Sequence, residues 1–307
     1  MKTLIQNLGE MNSNRIYIKR EDLIPISFGG NKARKAQLFF QEIDNGKFDC
    51  VITYGTSSSN HCRIVSNMAA MRNMDCYIIS PQESSIPTYN SKMMELFGAE
   101  IVTVPVEKVH KTIEAIIQSL RERGRVPYFI PGGGHGNIGT QAYVNCYKEI
   151  LMQEKEMKTH FDYIFFASGT GTTHAGLICG KIINGDDRNI IGISIARKNP
   201  RGRQVVYDSV NEYLNGNGII VSEKNIQPSI IFDDTYTGTG YAKDNEDIRI
   251  TIKNVLVHFG IPMDSVYVGK AFSGMNKYIK KYRIRESNIL FLHTGGTPLF
   301  FDEILKI

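Results

Sequence analysis

Short runs of Ile, Val, Phe and Tyr alternate along this chain with longer segments in which apolar residues return every three or four positions. The runs at 16–20 (IYIKR), 50–55 (CVITYG), 76–80 (CYIIS), 100–105 (EIVTVP), 128–132 (YFIPG), 163–168 (YIFFAS), 190–196 (IIGISIA) and 289–294 (ILFLHT) predict buried strands, where β-branched and aromatic residues fit. The helical spacing predicts helices at 31–43, 60–73, 88–97, 108–123, 138–156, 173–184, 201–215, 244–260 and 270–282. Such alternation predicts an α/β protein with mainly parallel sheets. Ligands gather at the carboxyl ends of strands in such sheets. Four predicted strands run there into small or polar residues: YGTSSSNH (54–61), IPGGGHGN (130–137), ASGTGTTH (167–174) and HTGGTP (293–298). They predict one shared site, or two sheets facing a cleft.

The clearest local signal is DYIFFASGTGTTHAGLICGKI, an apolar strand entering SGTGTT and then an apolar helix. Glycines allow a tight turn there, and successive N–H groups with the helix N-terminus point at an anion. Gly169 and Gly171, with Thr170, Thr172 and Thr173 as hydroxyl donors, exceed what a plain strand-to-helix turn needs. No GxxxxGK[ST] loop is present, and GxGxxG is missed because Gly176 comes two positions late. Arg197 stands near the end of the next strand, where an NAD site would carry an acid, which leaves an NADP reading open. The cradle suits a single terminal phosphate.

Lys32 follows two glycines and Asn31, at the start of a predicted helix in SFGGNKARKAQLFF. A cation is disfavoured there by the helix dipole. A lysine in a glycine-built pocket is easier to deprotonate, and a neutral amine attacks an aldehyde. With a phosphate cradle, this suggests pyridoxal 5′-phosphate (PLP). Asn31 is the expected cap of that helix.

Composition narrows the partners. Of 307 residues, 42% are hydrophobic and 22% charged, as in ordinary globular proteins. The net charge of +5, from 36 Lys and Arg against 31 Asp and Glu, is too mild to argue for nucleic acid. No apolar run has membrane-spanning length, and MKTLIQNLGEMNSNR lacks the apolar core of a signal peptide. The cysteines at 50, 62, 76, 146 and 179 form no CxxC pair, and the histidines form no HExxH. This predicts a reduced, cytoplasmic protein without a disulfide framework or a metal site.

IKREDLIPISFGGNKARK, TYGTSSSNHCR, ASGTGTTHAGL, GTGYA, DSVYVGKAFSGM and HTGGTP occur in one order. Each is weak alone. Together they closely resemble the family of 1-aminocyclopropane-1-carboxylate (ACC) deaminase and D-cysteine desulfhydrase, of the tryptophan-synthase-β-like, fold-type-II PLP enzymes. The resemblance covers about residues 16 to 300. It implies that Lys32 is the Schiff-base lysine and that Gly169 to Thr173 hold the phosphate. It implies that Asn60 bonds the PLP 3′-oxygen, that Ser59 lies near the substrate carboxylate or moves a proton, and that Tyr241 and Tyr267 are active-site tyrosines. Thr294 falls in the cofactor pocket, and His61 joins Ser59 and Asn60 toward the substrate. His61 and His174 also read as structural hydrogen-bonding groups. Arg63 reads as a more remote charge and Lys35 as a solvated helix residue. Gly132 to Gly134 read as a turn, and HGN (135–137) departs from the Ser-Asn-Pro flavour expected there.

The resemblance further implies two α/β domains with the cofactor in the cleft, the smaller at 44–155 and the larger from 1–43 plus 156–307, in a homodimer acting on a small amino acid. ACC deaminases carry Glu after the tyrosine of VY-x-GK and tend to carry Leu within H-x-GG. Here Val268 and Thr294 stand at those positions, and a valine cannot hold a pyridinium proton. The expectation is therefore α,β-elimination from D-cysteine or a similar amino acid, giving a keto acid, ammonia and hydrogen sulfide. Alternatives are ACC deamination, β-replacement or racemisation by a biosynthetic PLP enzyme and, in another class, an NADP-dependent reductase or a non-catalytic ligand-binding protein.

Overall fold

The computed structural model describes residues 2–237 and 246–304. In chain order the elements are β1 (Ile5–Met11), β2 (Asn14–Arg20), α1 (Asn31–Asn45), β3 (Cys50–Tyr54), α2 (Asn60–Ala70), β4 (Asp75–Pro81), α3 (Tyr89–Leu96), β5 (Glu100–Val104), α4 (Val109–Glu122), β6 (Pro127–Phe129) and α5 (Asn137–Met157). They continue with β7 (Tyr163–Ser168), α6 (Thr172–Ile183), β8 (Asn189–Ser194), α7 (Arg201–Gly216), α8 (Glu223–Ile226), β9 (Ile231–Asp233), α9 (Glu246–Phe259), α10 (Val268–Lys281), β10 (Asn288–His293) and α11 (Thr297–Glu303). Among the described residues the strands form two sheets, ordered β1-β2-β10-β7-β8-β9 and β5-β4-β3-β6. All neighbours are parallel except β1, which runs antiparallel to β2. This is the expected α/β architecture with two parallel-type sheets.

Side-chain alternation explains the layering. On β7, Ile164 and Phe166 enter a core shared with Tyr143 and Tyr147 of α5 and with α6 and α7. Phe165 and Ala167 enter the opposite core, built with α9 and α10. A strand covered on both faces reads as one continuous apolar run, and YIFFAS is such a run. On β3, Val51 faces α1 and α2, while Cys50 and Ile52 face α4. Ala36, Phe39, Phe40 and Ile43 give α1 its apolar stripe against the four-stranded sheet. Thus α1 packs with the four-stranded sheet and α5 with the six-stranded one.

Four elements were not expected from the sequence. β1 buries only Leu8 and bulges between Asn7 and Gly9, so its pattern lacks a clean alternation. β9 and α8 are too short to show a period. α11 starts at Thr297-Pro298, inside what reads as a loop. The register brings the site together: Ser168 pairs with Ser194 and His293 with Arg20, so the loops leaving β7, β8 and β10 emerge side by side.

Candidate active site

The carboxyl ends of the two sheets enclose a cavity of about 410 Å³. Lys32, Ser59, Asn60, His61, Tyr267 and Thr294 line it, as do Gly169, Thr170, Gly171 and Thr173. Among the described residues one expected group, Thr172, does not line it. Thr172 is fully buried, and its hydroxyl is bonded to His135 Nδ1 at 2.8 Å. The expectation that this hydroxyl serves an anion is therefore corrected, and only its backbone N–H remains for that role. Tyr241 lies outside the described residues.

Lys32 sits in the first turn of α1, whose N-cap is Gly30 at φ 98°. Asn31 is already helical and does not cap α1, contrary to expectation; its amide instead donates to Thr173 Oγ1 at 3.1 Å. A Cβ on Gly30 would lie 2.6 Å from the Thr294 carbonyl oxygen, so only glycine lets these two walls meet. That carbonyl accepts the Asn31 N–H at 3.0 Å, tying α1 to the loop after β10. The Lys32 amine donates to the Gly133 carbonyl at 3.1 Å. Burial lowers its pKa from 10.5 to about 8, although the nearby Cys62 thiol pulls the other way. Its neutral, nucleophilic form therefore dominates above about pH 8. In protein without cofactor, Lys32 is expected to react with an aldehyde and a mild reductant with a midpoint near pH 8. Peptide mapping across pH checks this; a midpoint near that of an ordinary lysine would contradict it.

Lys35 is buried under the Gly133–Gly134 turn, not solvated as the helix pattern suggested. Its amine finds no hydrogen-bond partner among the described residues, and burial, then Lys32, holds its pKa well below 10.5. His61 is likewise buried and kept neutral by burial and then by Lys32 and Lys35. The Thr53 hydroxyl donates to the Ile130 carbonyl at 2.8 Å, so His61 Nε2–H must donate to Thr53 Oγ1 at 2.9 Å. His61 Nδ1 is then a bare acceptor without a partner among the described residues.

The α2 N-terminus supplies Ser59, the N-cap, which accepts from Cys62 N at 3.1 Å. Asn60 Oδ1 accepts from Arg63 Nη1 at 2.5 Å and from Asn90 Nδ2 at 3.1 Å. These contacts fix the amide, leaving its amino group to donate into the cavity. Arg63 is completely buried and acts on the site through Asn60; burial lowers its pKa to about 9. His174, also on the wall, is packed between Phe166 and Phe232. Burial lowers its pKa to about 3, so it is a neutral packing ring.

The first N–H groups of α6 have no intrahelical acceptor, and Gly171 caps that helix at φ 96°. Across the cavity, Tyr267 N donates to Asp264 Oδ1 at 2.6 Å. Asp264 is wholly buried, and burial raises its carboxyl to about 7 against the pull of N–H donors from Tyr267 and Val268. Val268 does not line the cavity; it sits fully buried in the core with Ile252 and Phe272. Tyr54, Gly133 and Arg197 belong to the wall without having been assigned to it from sequence. Tyr54 and Gly133 stand in the strand-end motifs already singled out, which was their only signal.

Residues 3–295 match the family described as "Pyridoxal-phosphate dependent enzyme". A Pyrococcus furiosus protein provisionally named a 1-aminocyclopropane-1-carboxylate deaminase is 31% identical, with 98% of this chain and 92% of that protein covered. A D-cysteine desulfhydrase of Serratia proteamaculans is 28% identical over 97% of this chain and 91% of that protein. A crystal structure of an ACC deaminase homologue superposes with a TM-score of 0.89 at 31% identity, covering 100% of this chain and 93% of that one. The cavity fits PLP. It offers an amine shifted toward neutrality, a free helix N-terminus for the phosphate and a fixed amide donor. Its bare glycine walls add a cradle: a Cβ on Gly133 would come 3.0 Å from Thr170 Cγ2 and 3.2 Å from Lys32 Nζ. These findings set aside the NADP-dependent and non-catalytic readings. The chain belongs to the fold-type-II pyridoxal-phosphate dependent enzymes, within the group that holds ACC deaminases and D-cysteine desulfhydrases.

Proposed function

We propose that this enzyme carries out α,β-elimination on a small amino acid, releasing a keto acid and ammonia, with hydrogen sulfide when the β-substituent is a thiol. The observation that carries this reading is the chemistry of the wall: among the described residues no carboxylate lines the cavity, and a hydroxyl-bearing residue, Thr294, lines it at the loop after β10. Bound PLP supplies an electron sink for charge developing at the substrate Cα. A hydroxyl leaves the pyridine nitrogen largely neutral, which suits expulsion of a β-substituent. Opening a cyclopropane offers no ready leaving group and calls for the stronger sink that a carboxylate provides.

In this reading Lys32 holds the cofactor, then takes the α-proton with its freed amine. The α6 N-terminus with Gly169, Thr170, Gly171 and Thr173 anchors the phosphate. The Asn60 amide donates to the 3′-oxygen. Ser59 and the α2 N–H groups hold the substrate carboxylate beside His61, and Tyr267 faces the reacting atoms; Tyr241 is assigned with it from the sequence resemblance alone. The reading includes a homodimer and a reduced, cytoplasmic setting; the five buried free cysteines accord with the reduced setting alone. ACC deamination is the second reading, favoured by the likeness to the ACC deaminase homologue. Keto-acid release from D- and L-cysteine, β-chloroalanine, serine and ACC decides between them. Pyruvate from cysteine or β-chloroalanine, without α-ketobutyrate from ACC, is expected. α-Ketobutyrate from ACC would overturn elimination, and racemised or β-substituted products without keto acid would reassign the enzyme.

A further inference from the structure

Arg197 has no role in the reading above. It lies three residues beyond β8, in a loop held by Ser194, whose hydroxyl donates to the Arg197 carbonyl at 2.6 Å and accepts from Ala196 N at 3.3 Å. Its guanidinium is half-buried in the cavity wall, where Nη1 donates to the Gly169 carbonyl at 3.0 Å. That bond uses one of its five N–H donors. Among the described residues no carboxylate pairs with it; its neighbours include the cationic Arg201 and, opposite, the Tyr54 phenol. Tyr54 comes from the other sheet, its ring stacked on Phe129. The two side chains therefore approach one region of the cavity from its two walls.

A half-desolvated guanidinium without an acid beside it is costly unless an anion completes it. The proposed function already assigns anion-holding groups to the cofactor phosphate, at the α6 N-terminus, and to the substrate α-carboxylate, at the α2 N-terminus. We propose that Arg197, with Tyr54 opposite, reads the substrate side chain and selects amino acids whose side chain ends in a negatively charged oxygen or sulfur: a sulfonate, a departing thiolate or a leaving group that itself carries a carboxylate. This inference rests on the proposed amino-acid chemistry and narrows its substrate class. An anionic oxygen at Arg197 has one other source, the cofactor phosphate, because Gly169 begins the phosphate loop.

The test compares aspartate with alanine, in both enantiomers, since each pair differs by one carboxylate. Binding is read from the change in the visible spectrum of the PLP-loaded protein, so no turnover is required. Aspartate is expected to bind at least about 10-fold more tightly than alanine. In Arg197→Met that ratio collapses to about one, and Arg197→Lys keeps part of it, as a charge without the planar fork would. Equal binding of the two amino acids by the unaltered protein would overturn the proposal. So would an unchanged ratio in Arg197→Met. PLP affinity is measured in parallel by fluorescence: a loss in Arg197→Met of about 10-fold or more, equal for both amino acids, gives the guanidinium to the phosphate and refutes the side-chain assignment. Failure of elimination itself shows separately, as no keto acid from β-chloroalanine despite tight aspartate binding.

Discussion

Lys32→Ala is expected to lower kcat on any accepted amino acid by about 10³-fold or more, because one side chain is both cofactor anchor and proton acceptor. The substituted protein should also lack the visible absorption band of the loaded enzyme. Its fold should persist. The lysine reaches the cavity and makes a single hydrogen bond, to the Gly133 carbonyl, so its removal leaves no buried partner charge. Equilibrium unfolding of the cofactor-free form checks that separation and should change by less than about 1 kcal/mol. A yellow, active Lys32→Ala protein would remove the assignment. A colourless but unfolded one would mean that Lys32 is structural.

Two positions along α1, Arg34 carries the larger stability effect. It is almost fully buried and makes a two-pronged contact with Glu21, Nε to Oε2 at 2.5 Å and Nη2 to Oε1 at 2.7 Å. Nη1 reaches Glu149 Oε2 at 2.9 Å, and Lys19 holds the other oxygen of Glu149. The cluster joins β2, α1 and α5, and Glu149 stays below the ordinary carboxylate pKa because Arg34 and Lys19 outweigh its burial. Glu21 matters twice, since its carbonyl also accepts the Gly30 N–H at 2.7 Å, two residues before Lys32. Arg34→Met strands the buried Glu21 carboxylate and takes from Glu149 one of its two cations, and the expected cost is about 3–5 kcal/mol, read by urea unfolding of the cofactor-free protein. PLP affinity should fall with it as the Gly30 turn loosens. Adding Glu21→Gln should recover part of the loss, because the stranded charge is gone. A cost below about 1 kcal/mol would show that the network contributes little.

What could be read from the sequence follows physical range. β7 and α6 were legible because a strand covered on both faces and a glycine-built turn leave contiguous, local patterns. The set of residues at the cavity was largely legible too, because parallel strands deliver their carboxyl-end loops to one place. Side-chain environments set by distant segments were not. Lys35 reads as a surface residue until the Gly133–Gly134 turn, far away in sequence, closes over it. The Thr172 hydroxyl is consumed by His135 from the end of another strand–loop unit. Val268, from which the substrate argument began, proves to be a core residue, and the argument passes to Thr294 and to the lack of lining carboxylates among the described residues. β1 stayed hidden because an edge strand with a bulge needs little apolar alternation.

The central claim is that Lys32, and not its buried neighbour Lys35, carries the cofactor. Both amines sit in one turn of α1 and both are depressed by burial, so composition and spacing alone do not separate them. Borohydride reduction of the PLP-loaded protein, followed by proteolysis and mass spectrometry of the labelled peptide, separates them directly. A pyridoxyl-phosphate adduct on Lys32, in near-stoichiometric yield, is the predicted result; an adduct on Lys35 or another lysine, or none at all, would contradict the account.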